Sequence, residues 1–174
     1  MKHALIAAAL VALALPAAAT PRPALSWQVF RDGGNISLVY GPPPDGGEDY
    51  NPGLSCREHH GLEVLFYTDT THFPIHQRGD SMVNGQGRPG PWPATITVRS
   101  GALTAQIAGH VEYDDIGDAI EVDVTIPNGS PMLAQIARTG QITVSAFGSS
   151  PGFARVPMPM LTRFLTYCHD RRPY

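Results

Sequence analysis

The chain has 174 residues, with 12 lysines and arginines against 15 aspartates and glutamates and a formal net charge of −3. So mild an acidic balance excludes the basic footprint of a nucleic-acid binder or of a protein held on anionic membrane surfaces. The length is enough for one domain with a sizeable core.

The chain opens on MKHALIAAALVALALPAAAT: an early cation at Lys2, an apolar run from Ala4 to Leu15, then small residues ending in Ala17, Ala18 and Ala19. That order predicts a secretory signal peptide over residues 1–19. A membrane anchor is the competing reading, but a bilayer span needs roughly 20 apolar residues and this run is shorter. The expectation is one secreted domain over residues 20–174, periplasmic in location, with no transmembrane segment in the mature protein. Removing the signal removes Lys2, the only lysine, and leaves 11 arginines against 15 acids, a net charge of −4.

Period-two alternation then dominates. Ile36, Leu38 and Tyr40 share one face of ISLVY, and Leu62, Val64 and Phe66 share one face of LEVLFYT. Ile96 and Val98 alternate with threonines and Arg99, and Leu103, Ala105 and Ile107 alternate with polar partners. The clearest run is AIEVDVTIP, where Ile120, Val122, Val124 and Ile126 oppose Glu121, Asp123 and Thr125. QITVSAF adds Ile142, Val144 and Ala146. One buried and one wet face favours antiparallel sheets over a parallel α/β core. Turn signals fall at Asp32 to Asn35, His60-Gly61, Ser100-Gly101 and Asp115 to Asp118. The pattern predicts a mainly β protein, an antiparallel β-sandwich or partly closed barrel of about eight strands.

Two short helices interrupt it. Ser130 can cap the first, Pro131 suits its first position, Met132, Leu133 and Ile136 form its apolar stripe, and Gly140 can end it. The second is C-terminal, with Met160, Leu161, Phe164, Leu165 and Cys168 recurring at helical spacing. Cys168 therefore points inward with Leu161 and Phe164, while Cys56, alternating with Ser55 and Arg57, shares a face with Leu54. Two inward cysteines in a secreted chain predict a disulfide that pins the last helix to the sheet.

Chemistry-bearing residues gather in two places. Near the bridge stand Arg57, His59, His60 and His169, with Asp170. Zinc or copper on these histidines is conceivable, but no HExxH spacing supports it and a polar surface cluster around a staple is the preferred reading. An arginine with histidines suits an anionic group. The second place is the stretch over residues 69–93, read as a mobile surface loop because its glycines and prolines show no period. It contributes His72, Phe73, His76 and Trp92; Pro74 breaks any helix joining the histidines, and the aromatics offer flat apolar surface. These eight residues are the candidate ligand-binding set.

The acidic run of Glu112, Asp114, Asp115 and Asp118 can be weighed as a calcium loop, but it lacks the order of an EF-hand and reads as an acidic turn. No Gly-x-Ser-x-Gly, no Ser-x-x-Lys and no phosphate-cradling glycine loop occurs. Neither a catalytic residue nor a metal or other cofactor is expected.

The order of segments, SWQVF after the signal, a cysteine-bearing strand, then VTIPNGSPMLAQIARTGQITV, resembles the small secreted proteins of Gram-negative bacteria that include the invasion-associated locus B-like group. The resemblance spans most of the mature chain, which carries fewer cysteines than is usual in that group. It implies a periplasmic β-sandwich and supplies no catalytic residues. The functional expectation is a non-catalytic binding or envelope-associated protein whose partner is an unknown protein or small molecule. The alternative is a metal-dependent or hydrolytic periplasmic enzyme using the histidines and acids near the bridge or in the long loop.

Overall fold

Alternating side chains decide the architecture. In the computed structural model, which describes residues 24–32, 35–42, 53–57, 61–151 and 154–170, the apolar member of each strand pair faces one common core. The strands are β1 (Ser26–Asp32), β2 (Asn35–Gly41), β3 (Gly53–Arg57), β4 (Gly61–Asp69), β5 (Ile75–Arg78), β6 (Ser81–Asn84), β7 (Trp92–Ser100), β8 (Leu103–Asp114), β9 (Ala119–Pro127) and β10 (Thr143–Ser145). The helices are α1 (Pro131–Thr139) and α2 (Met158–Asp170). The expected signal segment and the pair His59 and His60 lie outside the described residues.

Eight strands form one antiparallel sheet in the order β1-β2-β3-β4-β9-β8-β7-β10. The sheet curls into a half-barrel, so of the two expected architectures the partly closed barrel is the one adopted. Register explains why one face is dry. Leu62, Val64 and Phe66 of β4 sit opposite Ile126, Val124 and Val122 of β9, and all six are sealed from solvent. On β7, Ile96 and Val98 stand opposite Ile107 and Ala105 of β8. Shifting any of these strands by one residue would turn its apolar set outward, which is what fixes the register.

A second layer closes the concave face. α1 packs on β7, β8 and β9, and α2 packs on α1 and β2. Met132 and Ile136 of α1 and Leu161 and Phe164 of α2 enter the same core as the strand residues. α1 begins and ends as its sequence dictates. Ser130 Oγ accepts from the Leu133 amide at 3.2 Å, and Gly140 takes the left-handed conformation at φ 66°. A side chain at Gly140 would meet the carbonyl oxygen of Val156 at 2.6 Å. Across the molecule, Trp27 Nε1 donates to the carbonyl of Ala154 at 2.8 Å, tying β1 to the segment before α2.

The stretch over residues 69–93 is a correction to the sequence reading. It is not a loop without a ladder: a 3-10 turn over Thr70–His72 leads into a hairpin in which β5 and β6 pair from Ile75 opposite Asn84 to Arg78 opposite Ser81. The Gly79-Asp80 pair makes its two-residue turn, with Gly79 at φ 62°, and that dipeptide is a hairpin signal. Asn84 Oδ1 accepts from the amides of Gln86 and Arg88 at 3.0 and 3.1 Å, bracing the return. Trp92 then opens β7, opposite Val111.

Candidate functional site

The staple comes first because it gathers one of the two expected clusters. Cys56 on β3 and Cys168 near the end of α2 form a disulfide across 112 residues, with Cα atoms 5.3 Å apart. Both are half-buried beside the core. A cleft of about 400 Å³ opens at this seam. Its walls are Leu62 from β4, Leu133, Ala134 and Ala137 from α1, and Leu165 and Cys168 from α2, with Ser130 and His169 at the polar edge. Among the described residues, the exposed His169 is the member of the expected cluster that borders the cavity. Arg57 ends β3, on the strand that carries Cys56; its side chain, with those of His59 and His60, lies outside the described residues.

The four residues expected to grip a ligand from the long loop part company. Phe73 and Trp92 turn inward and stack with centroids 5.3 Å apart at 39°. Trp92 is only 4% exposed, and its indole Nε1 donates to the carbonyl of Arg88 at 2.7 Å. Gly90 lies over the indole so closely that a Cβ there would sit 3.3 Å from its ring. Trp92 is therefore a core residue, not a loop platform. His72 and His76 face solvent, His72 with its Nε2 at 3.8 Å from an Asp69 carboxylate oxygen. Asp69 caps the 3-10 turn, and its acceptance from the Thr71 hydroxyl, more than the nearby His72, holds its carboxyl below the usual range.

The aromatic pair has a third member that the sequence reading missed. Phe147 packs edge-on against Phe73 at 4.8 Å and 60°, from a turn where its backbone takes φ 51°. A bulky residue in the left-handed region carries local strain. Isolated in AFGSSP, Phe147 has no periodic neighbour to reveal it.

Under the β5–β6 hairpin lies a larger hollow of about 560 Å³. Gln77, Asp80 and Met82 of the hairpin face Glu112, Tyr113 and Asp115 at the far end of β8, with Trp92 at its floor. The acidic run weighed as a calcium loop is used otherwise. Asp114 accepts from the Ile116 amide at 3.1 Å, and Asp118 accepts from the Tyr113 hydroxyl at 2.9 Å. That hydrogen bond raises the Tyr113 phenol above its ordinary range. Among the described residues, no three His, Cys, Asp or Glu side chains converge to hold a metal ion.

The outer face of the sheet carries its own polar relay. The Tyr67 hydroxyl on β4 donates to Glu121 of β9 at 3.0 Å. Burial, then this bond to the carboxylate and the negative charge of Glu121 itself, push the Tyr67 phenol up to about 12. No helix among the described residues is long and apolar enough to cross a membrane. No protein-family model, no curated protein and no solved structure matches this chain.

Proposed function

We propose that this is a secreted, envelope-associated binding protein without catalytic activity, and that it takes the apolar part of its ligand in the cleft between α1, α2 and the disulfide. The single observation that carries the reading is that cleft: about 400 Å³, walled by Leu62, Leu133, Ala134, Ala137 and Leu165 and edged by Ser130 and His169. Small-molecule sites are concave, mostly apolar and fixed by a few polar groups, with volumes of roughly 300–1,000 Å³. The scaffold suits the task, because a sheet crosslinked to α2, with α1 packed against both, holds the walls in place before any ligand arrives, which reduces the ordering cost of binding. The signal-like N-terminus supports secretion, and the resemblance to small periplasmic proteins supports an envelope setting.

The test is a titration of the purified protein with decanoate, an apolar chain with a polar end, followed by methyl NMR. Saturable shifts at Leu133 and Leu165 are expected. Ala134 is solvent-exposed on the cleft wall, so Ala134→Phe should fill the cavity and abolish those shifts with little change in melting temperature. Shifts that persist in Ala134→Phe, or none at all with decanoate, would remove this cleft as the site.

A further inference from the structure

The dipeptide Asn-Gly occurs twice in the chain, at Asn84-Gly85 and at Asn128-Gly129, and the fold holds the two in opposite ways. Asparagine is a labile residue, and a following glycine, with no Cβ, leaves its backbone nitrogen open to close approach. That nitrogen can attack the asparagine Cγ. A bond forms between the glycine nitrogen and Cγ, the Cγ–Nδ2 bond breaks, and ammonia leaves with the proton the glycine amide gives up. Water then opens the cyclic imide at either carbonyl, leaving aspartate or its isomer with the main chain routed through the side-chain carbon. The reaction needs water alone.

Asn84 is tied down. It is half-buried, and its Oδ1 accepts from the amides of Gln86 and Arg88 at 3.0 and 3.1 Å. Its own amide donates to the Arg88 carbonyl at 2.9 Å, and its carbonyl accepts from Gly87 at 2.8 Å. Bringing Cγ to the Gly85 nitrogen means leaving both side-chain partners. Asn128 has no such brace. Asn128 and Gly129 are both exposed, and among the described residues neither the Asn128 side chain nor the Gly129 amide makes a hydrogen bond. A Cβ on Gly129 would meet nothing within 4 Å. One bond spans the turn, from the Ser130 amide to the Pro127 carbonyl at 3.2 Å, and it leaves the reacting atoms free.

The position gives the reaction a consequence. Asn128, Gly129 and Ser130 line the α1–α2 cleft. Aspartate in place of Asn128 adds a negative charge two residues before the Ser130 cap, on the side of a helix where such charge is tolerated. We infer that Asn128 is a self-modification site, converted in the folded protein to aspartate or isoaspartate, and that the new carboxylate lowers the affinity of the cleft for ligands with an anionic end. The effect on affinity rests on reading that cleft as the ligand site; the conversion itself does not.

Peptide mass mapping of the purified protein, held folded at mildly alkaline pH beside a urea-unfolded sample, tests the conversion. In the folded protein the Asn128 peptide should become acidic at least roughly tenfold faster than the Asn84 peptide, a factor set by the two side-chain hydrogen bonds that must break first. In urea the two should react at similar rates, since the dipeptide is the same. Asn84 reacting as fast as Asn128 in the folded protein, or Asn128 staying an amide there, would overturn the assignment. Decanoate titration of Asn128→Asp tests the consequence. Its affinity should fall roughly threefold to fivefold, the size of a solvent-screened charge interaction, while Asn128→Gln should bind as the parent does. Equal affinity in Asn128→Asp and the parent would overturn the link to the cleft. A parent that does not bind decanoate at all would instead remove the cleft as a ligand site, and the mapping would still decide the conversion.

Discussion

Phe73 and Trp92 pack face against tilted face at 5.3 Å, closing the end of the half-barrel where the hairpin excursion returns to the sheet. Their burial reverses the role their sequence position suggests. An aromatic pair that excludes water from a core end is a packing unit, so its loss is read in stability before it is read in binding. Trp92→Ala should cost about 3–5 kcal/mol, as for other buried large-to-small changes. Phe73→Ala, at a half-buried position, should cost about 1–2 kcal/mol. Urea unfolding measures both, and a Trp92→Ala midpoint equal to that of the parent would contradict the packing.

The bridge is a second stability prediction. Closing a loop of 112 residues stabilises the fold by about 4–5 kcal/mol in the chain-entropy account. Cys168→Ser, or reduction of the parent, should lower the free energy of unfolding by that much. Peptide mapping without reductant should recover Cys56 joined to Cys168, and a reduced protein as stable as the oxidised one would show that α2 docks without its crosslink.

The phenol of Tyr67 sets a pH dependence. Its folded value near 12 lies above the ordinary 10.0, so the folded state holds this proton more tightly than the unfolded chain does. Its contribution to stability is fully present below about pH 10 and is lost as pH rises from about 10 towards 12, where the unfolded chain ionises first. Ultraviolet titration should show the Tyr67 phenolate appearing late, and Tyr67→Phe should remove that part of the rise. A Tyr67 that ionises with the exposed tyrosines would break the link to Glu121.

The cap of α1 gives a smaller and more local effect. Ser130→Ala removes the acceptor of the Leu133 amide and should cost about 1 kcal/mol. Because Ser130 and Leu133 also border the α1–α2 cleft, amide exchange should speed up in the first turn of α1 ahead of the rest of the helix. Uniform exchange along α1 would argue that the cap is not what holds its start.

What could be read from the sequence was whatever repeats. The alternation in AIEVDVTIP and LEVLFYT has the period of the pleat, and β9 and β4 lie where it places them, with their apolar members opposite one another. Ser130 and Gly140 carry backbone chemistry peculiar to helix ends, and both take those positions. The paired cysteines needed only their two faces to be recognised. The hairpin escaped because its strands are only four residues long and mostly wet on both sides, so no apolar period marks them and the Gly-Asp turn was the one available signal. Trp92 was misplaced by a strand boundary: β7 begins at Trp92 itself and runs through Pro93, which reads locally as a loop. The α1–α2 cleft joins Leu62, Leu133 and Leu165, whose meeting depends on how helices dock rather than on any motif.

The distance along the chain between the bridged cysteines also orders events at birth. Cys56 leaves the ribosome 112 residues ahead of its mate, and the last helix brings Leu161 and Phe164 to the core together with the second sulfur. Through most of synthesis the emerging chain therefore carries a lone thiol on a half-built sheet whose concave side has no lid. Domains generally fold as units, and this one can neither fill its core nor close its crosslink before α2 has emerged. A chain interrupted before α2 would expose apolar strands and a reactive sulfur at once, the combination that favours joining to a second unfinished copy over waiting for its own end.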